Sequence, residues 1–68
     1  MKTNEEIVNK IRDMMFDEHK AIIKYRNLKK ECEKRSDYSS ADGFEVIERR
    51  HGEYYDILAK VLVFSLDD

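Results

Sequence analysis

Glu48 and His51 are the two residues whose types and spacing point most clearly to chemistry. They lie three residues apart, and on a helix this spacing puts two side chains on one face, about one turn apart. A carboxylate and an imidazole are both ligands for transition metals. An ionised carboxylate is also costly to bury without a partner. We interpret the pair as a candidate metal-binding element or, alternatively, as a buried hydrogen-bonded cluster.

Glu18 is a third candidate, because it interrupts an apolar row in the first half of the chain. That row consists of Ile7, Ile11, Met14, Ile22, Tyr25, Leu28 and Cys32. A second row, which contains His51, consists of Tyr38, Ala41, Phe44, Ile47, Tyr55, Leu58 and Leu62. Both rows have the period of an amphipathic helix. We therefore expect Glu18, Glu48 and His51 to lie on the inward faces of two helices.

Two long helices must position these residues. The periodicity predicts helix 1 at about residues 4–34 and helix 2 at about residues 37–66, with a turn at about residues 35–37 in the stretch RSDYSS. Thr3 and Glu6 have the spacing of a capping box at the start of helix 1. The whole chain is therefore expected to be one all-α domain, a two-helix antiparallel hairpin.

The start of helix 2 decides whether the three polar residues can meet. Ser36 or Asp37 could cap the helix, and a later start near Ser40 is an alternative. With the earlier start, Glu18 lies about as far before the turn as His51 lies after it. The later start would separate the two along the axis by two to three turns. We expect the earlier start.

The chain is short enough to need a second source of stability. At 68 residues, a single core rarely supplies more than about 3–5 kcal/mol. Cys32 is the only cysteine, so an internal disulfide is ruled out, and a lone thiol is typical of a reducing compartment. A metal, a second copy of the chain, or both would supply the stability that the core lacks.

Composition excludes several other classes of protein. Lys and Arg number 13 against 15 Asp and Glu, for a net charge of −2, which does not favour nucleic-acid binding. No apolar stretch approaches the roughly 18 residues of a membrane span, and the first ten residues do not resemble a signal peptide. We expect a soluble, cytoplasmic protein without a membrane partner.

Two copies of the hairpin would supply a complete metal site. Packed face to face they form a four-helix bundle with four glutamates and two histidines. This is the ligand set of dinuclear carboxylate bundles, in which two helices each contribute a Glu and the other two each contribute a Glu-x-x-His. Four carboxylates also balance the charge of two divalent cations.

The stretches DEHKAIIKYR and ADGFEVIERRHGEYYDIL resemble the paired motifs of rubrerythrins and other ferritin-like proteins. Glu18, Ala21 and Tyr25 match the first motif, and Glu48 and His51 match the second. The similarity covers half of the usual four-helix domain, as in encapsulated ferritins. It implies a ferritin-like bundle formed by a homodimer, with Glu18, Glu48 and His51 as metal ligands shared between subunits.

The resemblance also has limits. The chain has no CxxC pair, so the electron relay of full-length rubrerythrins is absent. Arg49 and Arg50 replace residues that are often acidic in such motifs, and Gly52 follows the histidine. These differences leave the three ligand positions intact.

The sequence therefore predicts a di-metal protein, with iron as the first choice and manganese or zinc as alternatives. With iron, the implied activity is that of a ferroxidase or a peroxide-reducing oxidoreductase. The alternative is a small non-enzymatic helical dimer that binds another protein or acts as a regulatory module. In that case the Glu and His cluster is structural and specifies how the copies pair.

Overall fold

The protein folds as an antiparallel pair of helices. A computed structural model describes residues 2–66, and side chains for residues 5–66. Helix α1 spans Lys2–Lys34 and helix α2 spans Tyr38–Leu66. The hairpin is long and thin, at 53 × 14 × 9 Å. The prediction of an all-α, two-helix hairpin is confirmed, and residues 2–66 contain no strand.

Helix α1 begins earlier than the capping box predicts. It starts at Lys2, so Thr3 lies inside its first turn rather than immediately before it. The side chain of Thr3 is outside the described part of the chain. The predicted cap position at Thr3 is therefore wrong, although the predicted helix is present.

A tight cap ends α1 and sets the direction of the chain. Ser36 has a positive φ of 60°. The Ser36 N–H donates to the Glu33 carbonyl at 3.0 Å, and the Asp37 N–H donates to the Cys32 carbonyl at 2.9 Å. These two bonds define a Schellman motif, which satisfies carbonyls that the end of a helix leaves unpaired. The motif reverses the chain within three residues.

Asp37 then caps α2. Its Oδ1 accepts a hydrogen bond from the Ser40 N–H at 3.2 Å, which satisfies one of the free donors of the first turn. Hydrogen bonds from the Ser40 side chain and, second, from its backbone lower the pKa of Asp37. Of the two predicted caps, Asp37 is thus the one used, and α2 has the earlier start.

The hairpin alone has little core. The buried apolar residues are Val8, Ile11 and Ala41, which are 7%, 3% and 3% exposed. Met14, which belongs to the predicted apolar row of helix 1, is instead 46% exposed, and the nearby Phe16 is 62% exposed. Two helices can cover only one side of each other, so apolar residues beside the contact line stay open to solvent.

The exposed large apolar side chains occur on both helices. They are Ile7, Met14, Phe16, Ile23, Tyr38, Val46, Tyr54, Ile57, Val61, Val63, Phe64 and Leu66. The contact between the two helices leaves these side chains uncovered. In the described part of the chain, neither helix carries an apolar stretch long enough to cross a bilayer.

Ser36→Gly should raise the free energy of unfolding by about 1 kcal/mol, because glycine adopts positive φ without the steric cost that a Cβ imposes. Ser36→Ala is the matched control, since alanine keeps that cost. Urea denaturation followed by circular dichroism, at one protein concentration, measures both. Equal stability of the two variants would contradict the cap geometry.

Asp37 should make stability depend on pH in the acid range. Its folded-state pKa is lowered from the ordinary 3.8, so its contribution is present above that value and lost as pH falls through the folded pKa. Asp37→Asn keeps a capping oxygen without the charge. The stability difference between wild type and Asp37→Asn should shrink between about pH 6 and about pH 3. A difference that is constant with pH would show that Asp37 does not titrate as a cap.

Candidate metal centre

Glu18 and His51 meet across the two helices. The Nδ1 atom of His51 lies 2.5 Å from Oε2 of Glu18, a short hydrogen bond that the ring N–H donates to the carboxylate. The two side chains are 27% and 23% exposed, respectively. They therefore lie at one level of the hairpin, half-buried, as the earlier start of α2 predicts.

Aromatic rings surround the imidazole. Tyr25 of α1 stacks on His51 with ring centroids 5.5 Å apart and planes 8° apart. Tyr54 meets His51 edge-on at 6.0 Å, with planes 80° apart. Tyr25 in turn contacts Phe44, with ring centroids 6.0 Å apart. The stacked Tyr25 ring covers one face of His51, and both contacts restrict the orientation of the imidazole.

The hydrogen bond to Glu18 determines which imidazole nitrogen can bind a ligand. A carboxylate holds Nδ1–H, and the same arrangement orients metal-bound histidines in proteins. Among side chains 5–66 none hydrogen-bonds to Nε2, and no buried polar atom lacks a partner. Nε2 is therefore open to solvent, and in the neutral ring it carries the free lone pair.

Glu48 does not join the other two residues. Its Oε2 accepts a hydrogen bond from Nε of Arg26 at 3.2 Å. The Glu48 side chain is 22% exposed and that of Arg26 is 54% exposed. Within the described part of the chain, no group of three or more Asp, Glu, His or Cys is arranged to hold a metal ion. The hairpin thus brings together two of the three predicted ligands.

Arg26 is a partner of a predicted ligand that the sequence pattern did not identify. A second cross-helix pair lies beside it, in which Nζ of Lys29 is 3.1 Å from Oε1 of Glu45. The hydrogen bond from Lys29 to Glu45 raises the pKa of Lys29. The sequence does contain a sign of these two ion pairs. Arg26 and Lys29 on one helix have the same three-residue spacing as Glu45 and Glu48 on the other. In an antiparallel hairpin, such matched spacing pairs both sets.

Two of the grooves beside the helix contact differ in chemistry. On one side, Glu18 lines a groove of about 360 Å³, together mainly with Met14, Tyr54, Ile57 and Leu58. The other side holds a groove of about 440 Å³ lined by charged residues. These are Arg26, Lys29, Lys30, Glu33, Glu45, Glu48 and Arg49. Glu48 therefore contacts the charged side, whereas Glu18 reaches the apolar side.

No protein-family model, curated protein or solved structure matches the chain. The resemblance to ferritin-like proteins therefore depends on the motif residues Glu18, Ala21, Tyr25, Glu48 and His51. What the chain does must be argued from the contacts these residues make.

A double-mutant cycle should detect the contact between Glu18 and His51. With Glu18→Ala, His51→Ala and the double variant in the presence of a chelator, we expect a coupling energy of about 1 kcal/mol. Urea denaturation measures it. Asp17 is the matched control, because it is exposed and pairs with Lys20 at 3.7 Å. A cycle between Asp17→Ala and His51→Ala should give no coupling, and zero coupling in both cycles would contradict the hydrogen bond.

Proposed function

We propose that two copies of this chain form a four-helix bundle that binds two metal ions, with iron as the first choice. The observation that carries the proposal is the contact between Glu18 and His51 across the helices. A carboxylate and an imidazole that lie 33 residues apart in the chain share one level and one half-buried position. Such a pair provides two of the three metal-binding side chains that a dinuclear carboxylate site takes from each hairpin.

The homodimer is supported by the surface beside that pair. Met14, Tyr54 and Ile57 are each at least 46% exposed, and they line the groove into which Glu18 opens. A second hairpin packed on this groove would cover those side chains and bring two copies of the Glu18–His51 pair together. Burial of apolar surface gives about 25 cal/mol per Å². This would supply the core that a single hairpin lacks.

The donor atoms fit a di-iron site on one condition. Glutamate oxygen and imidazole nitrogen suit Fe(II), Mn(II) and Zn(II). Glu48 has the correct place on α2, one turn before His51, but its carboxylate contacts Arg26. A change of Glu48 side-chain torsions would direct it to the site without moving the helix. Bound Fe(II) would supply electrons for the reduction of dioxygen or peroxide, which is a ferroxidase-type activity.

The surroundings of the pair suit such chemistry. The tyrosine stack holds the ring of His51 in one plane, and ligands on helices are held rigidly. Cys32 is a free, half-buried thiol, in agreement with a reducing compartment such as the cytoplasm. A cytoplasmic location is therefore part of the proposal.

A second function is favoured by a different observation. Every member of the predicted ligand set already has a partner within the hairpin, since Glu18 pairs with His51 and Glu48 pairs with Arg26. Such pairs satisfy part-buried polar groups without a metal. In this reading the chain is a small non-enzymatic helical dimer that binds another protein or regulates one, and the polar pairs specify how the copies pack.

Anaerobic titration with Fe(II), followed by native mass spectrometry, separates the two functions. The di-metal proposal predicts a dimer that binds about one metal ion per chain. Glu48→Ala and His51→Ala should each weaken binding at least about ten-fold, as loss of a ligand or of its support does. Glu45→Ala is the matched control, because Glu45 is one turn from Glu48 on α2 and pairs with Lys29.

Two results would reject the di-metal function. One is the absence of bound Fe(II), Mn(II) or Zn(II) at any concentration that leaves the protein folded. The other is equal loss of binding in Glu45→Ala and Glu48→Ala, which would indicate non-specific binding to surface carboxylates. The interaction module, by contrast, predicts a dimer that binds no metal.

A further inference from the structure

The contact between Arg26 and Glu48 has a consequence for any metal that binds beside it. Glu48 is one turn from His51 on α2, yet its carboxylate is held by Arg26 on the charged side of the hairpin. We propose that Arg26 is a positioning residue that holds Glu48 away from the metal centre and weakens metal binding until the ion pair opens. This inference rests on the proposed di-metal function.

The ion pair is of a kind that can open. One contact joins the two residues, from Arg26 Nε to Glu48 Oε2 at 3.2 Å. The Arg26 side chain is 54% exposed, so water can replace the carboxylate as its partner when Glu48 leaves. Pairs with such exposure contribute little to stability and are weakened by salt. Arg26 therefore competes for Glu48 without locking it.

Opening the pair can place Glu48 beside the other ligands. Side chains at i and i+3 on a helix lie about 5–6 Å apart at Cβ, so the carboxylate of Glu48 can reach the vicinity of His51 by side-chain rotation alone. The Glu18 carboxylate is already on His51. The two arrangements of Glu48 thus differ only in its side-chain torsions, with the same helices and the same turn.

The size of the effect follows from the energy of the pair. A metal that uses Glu48 binds only the population in which the Arg26 contact is open, and its apparent affinity falls by that fraction. Exposed ion pairs correspond to factors of roughly two to five in such an equilibrium. Removing the guanidinium should strengthen metal binding by about that factor per site.

The neighbouring pair supplies a matched control. Lys29 and Glu45 form the same type of cross-helix contact, at 3.1 Å, in the same charged groove. Neither residue belongs to the predicted ligand set. Lys29→Met therefore removes one positive charge and one ion pair from the same surface without freeing a predicted ligand.

The test compares Arg26→Met, Arg26→Lys and Lys29→Met with the wild type by titration of Fe(II) without oxygen, or of Zn(II), with dissociation constants as the readout. Arg26→Met should bind about two- to five-fold more tightly than wild type at low salt, and this advantage should disappear near 1 M salt, where ion pairs are screened. Arg26→Lys, which can keep the pair, should resemble the wild type. Lys29→Met should show a smaller change than Arg26→Met.

The possible outcomes separate this inference from the function on which it rests. If wild type and variants bind no metal, the di-metal function fails and the positioning role fails with it. If all bind metal with one affinity, the function stands and the role of Arg26 is rejected. If Arg26→Met and Lys29→Met gain equally, the effect is one of surface charge, and the positioning role is again rejected. Weaker binding by Arg26→Met would also reject it.

Discussion

The register of the two helices depends on the connection between them. The Schellman motif at Ser36 and the cap at Asp37 share consecutive residues, so the end of α1 and the start of α2 are fixed relative to each other. A shift of one residue in either cap would rotate α2 by about 100° and move it by about 1.5 Å. His51 would then leave the face that meets Glu18. The hydrogen bonds of the two caps, although far from the candidate site, therefore determine which residues meet there.

The features of the structure that depend on local sequence could be predicted from the sequence alone. The two helices follow from apolar periodicity, and the common level of Glu18 and His51 follows from the earlier of the two possible starts of helix 2, with Ser36 or Asp37 as its cap. The contact of Glu48 could not be predicted in the same way. Glu48 is long and flexible and lies within reach of both sides of the hairpin, so its position depends on which neighbour attracts it. Periodicity places a residue on a helix face but does not choose between two partners for its side chain.

The exposure of Phe16 shows a second limit of the sequence pattern. An apolar residue in an amphipathic run is expected in a core, yet at 62% exposure it lies outside the single line of contact that two helices form. Apolar periodicity reports every face that is covered in the final assembly, whereas the hairpin shows only the contact within one chain. In the proposed dimer, a second hairpin would cover exposed residues such as Ile57.

The contacts of Glu18, Glu48 and His51 change what can be inferred from the cost of burying a charge. Before the contacts are known, an inward carboxylate argues either for a cation or for a hydrogen-bonded partner, because one of them must offset its lost hydration. In the hairpin, Glu18 and Glu48 already receive hydrogen bonds from His51 and Arg26, so a metal must replace those partners rather than fill a void. Covering the apolar groove with a second chain would change this balance, since ionic interactions strengthen as water is excluded. The Glu18 carboxylates of the two chains would then also repel each other, and a cation between them would become more favourable. Association and metal binding should for this reason be coupled, each stabilising the other.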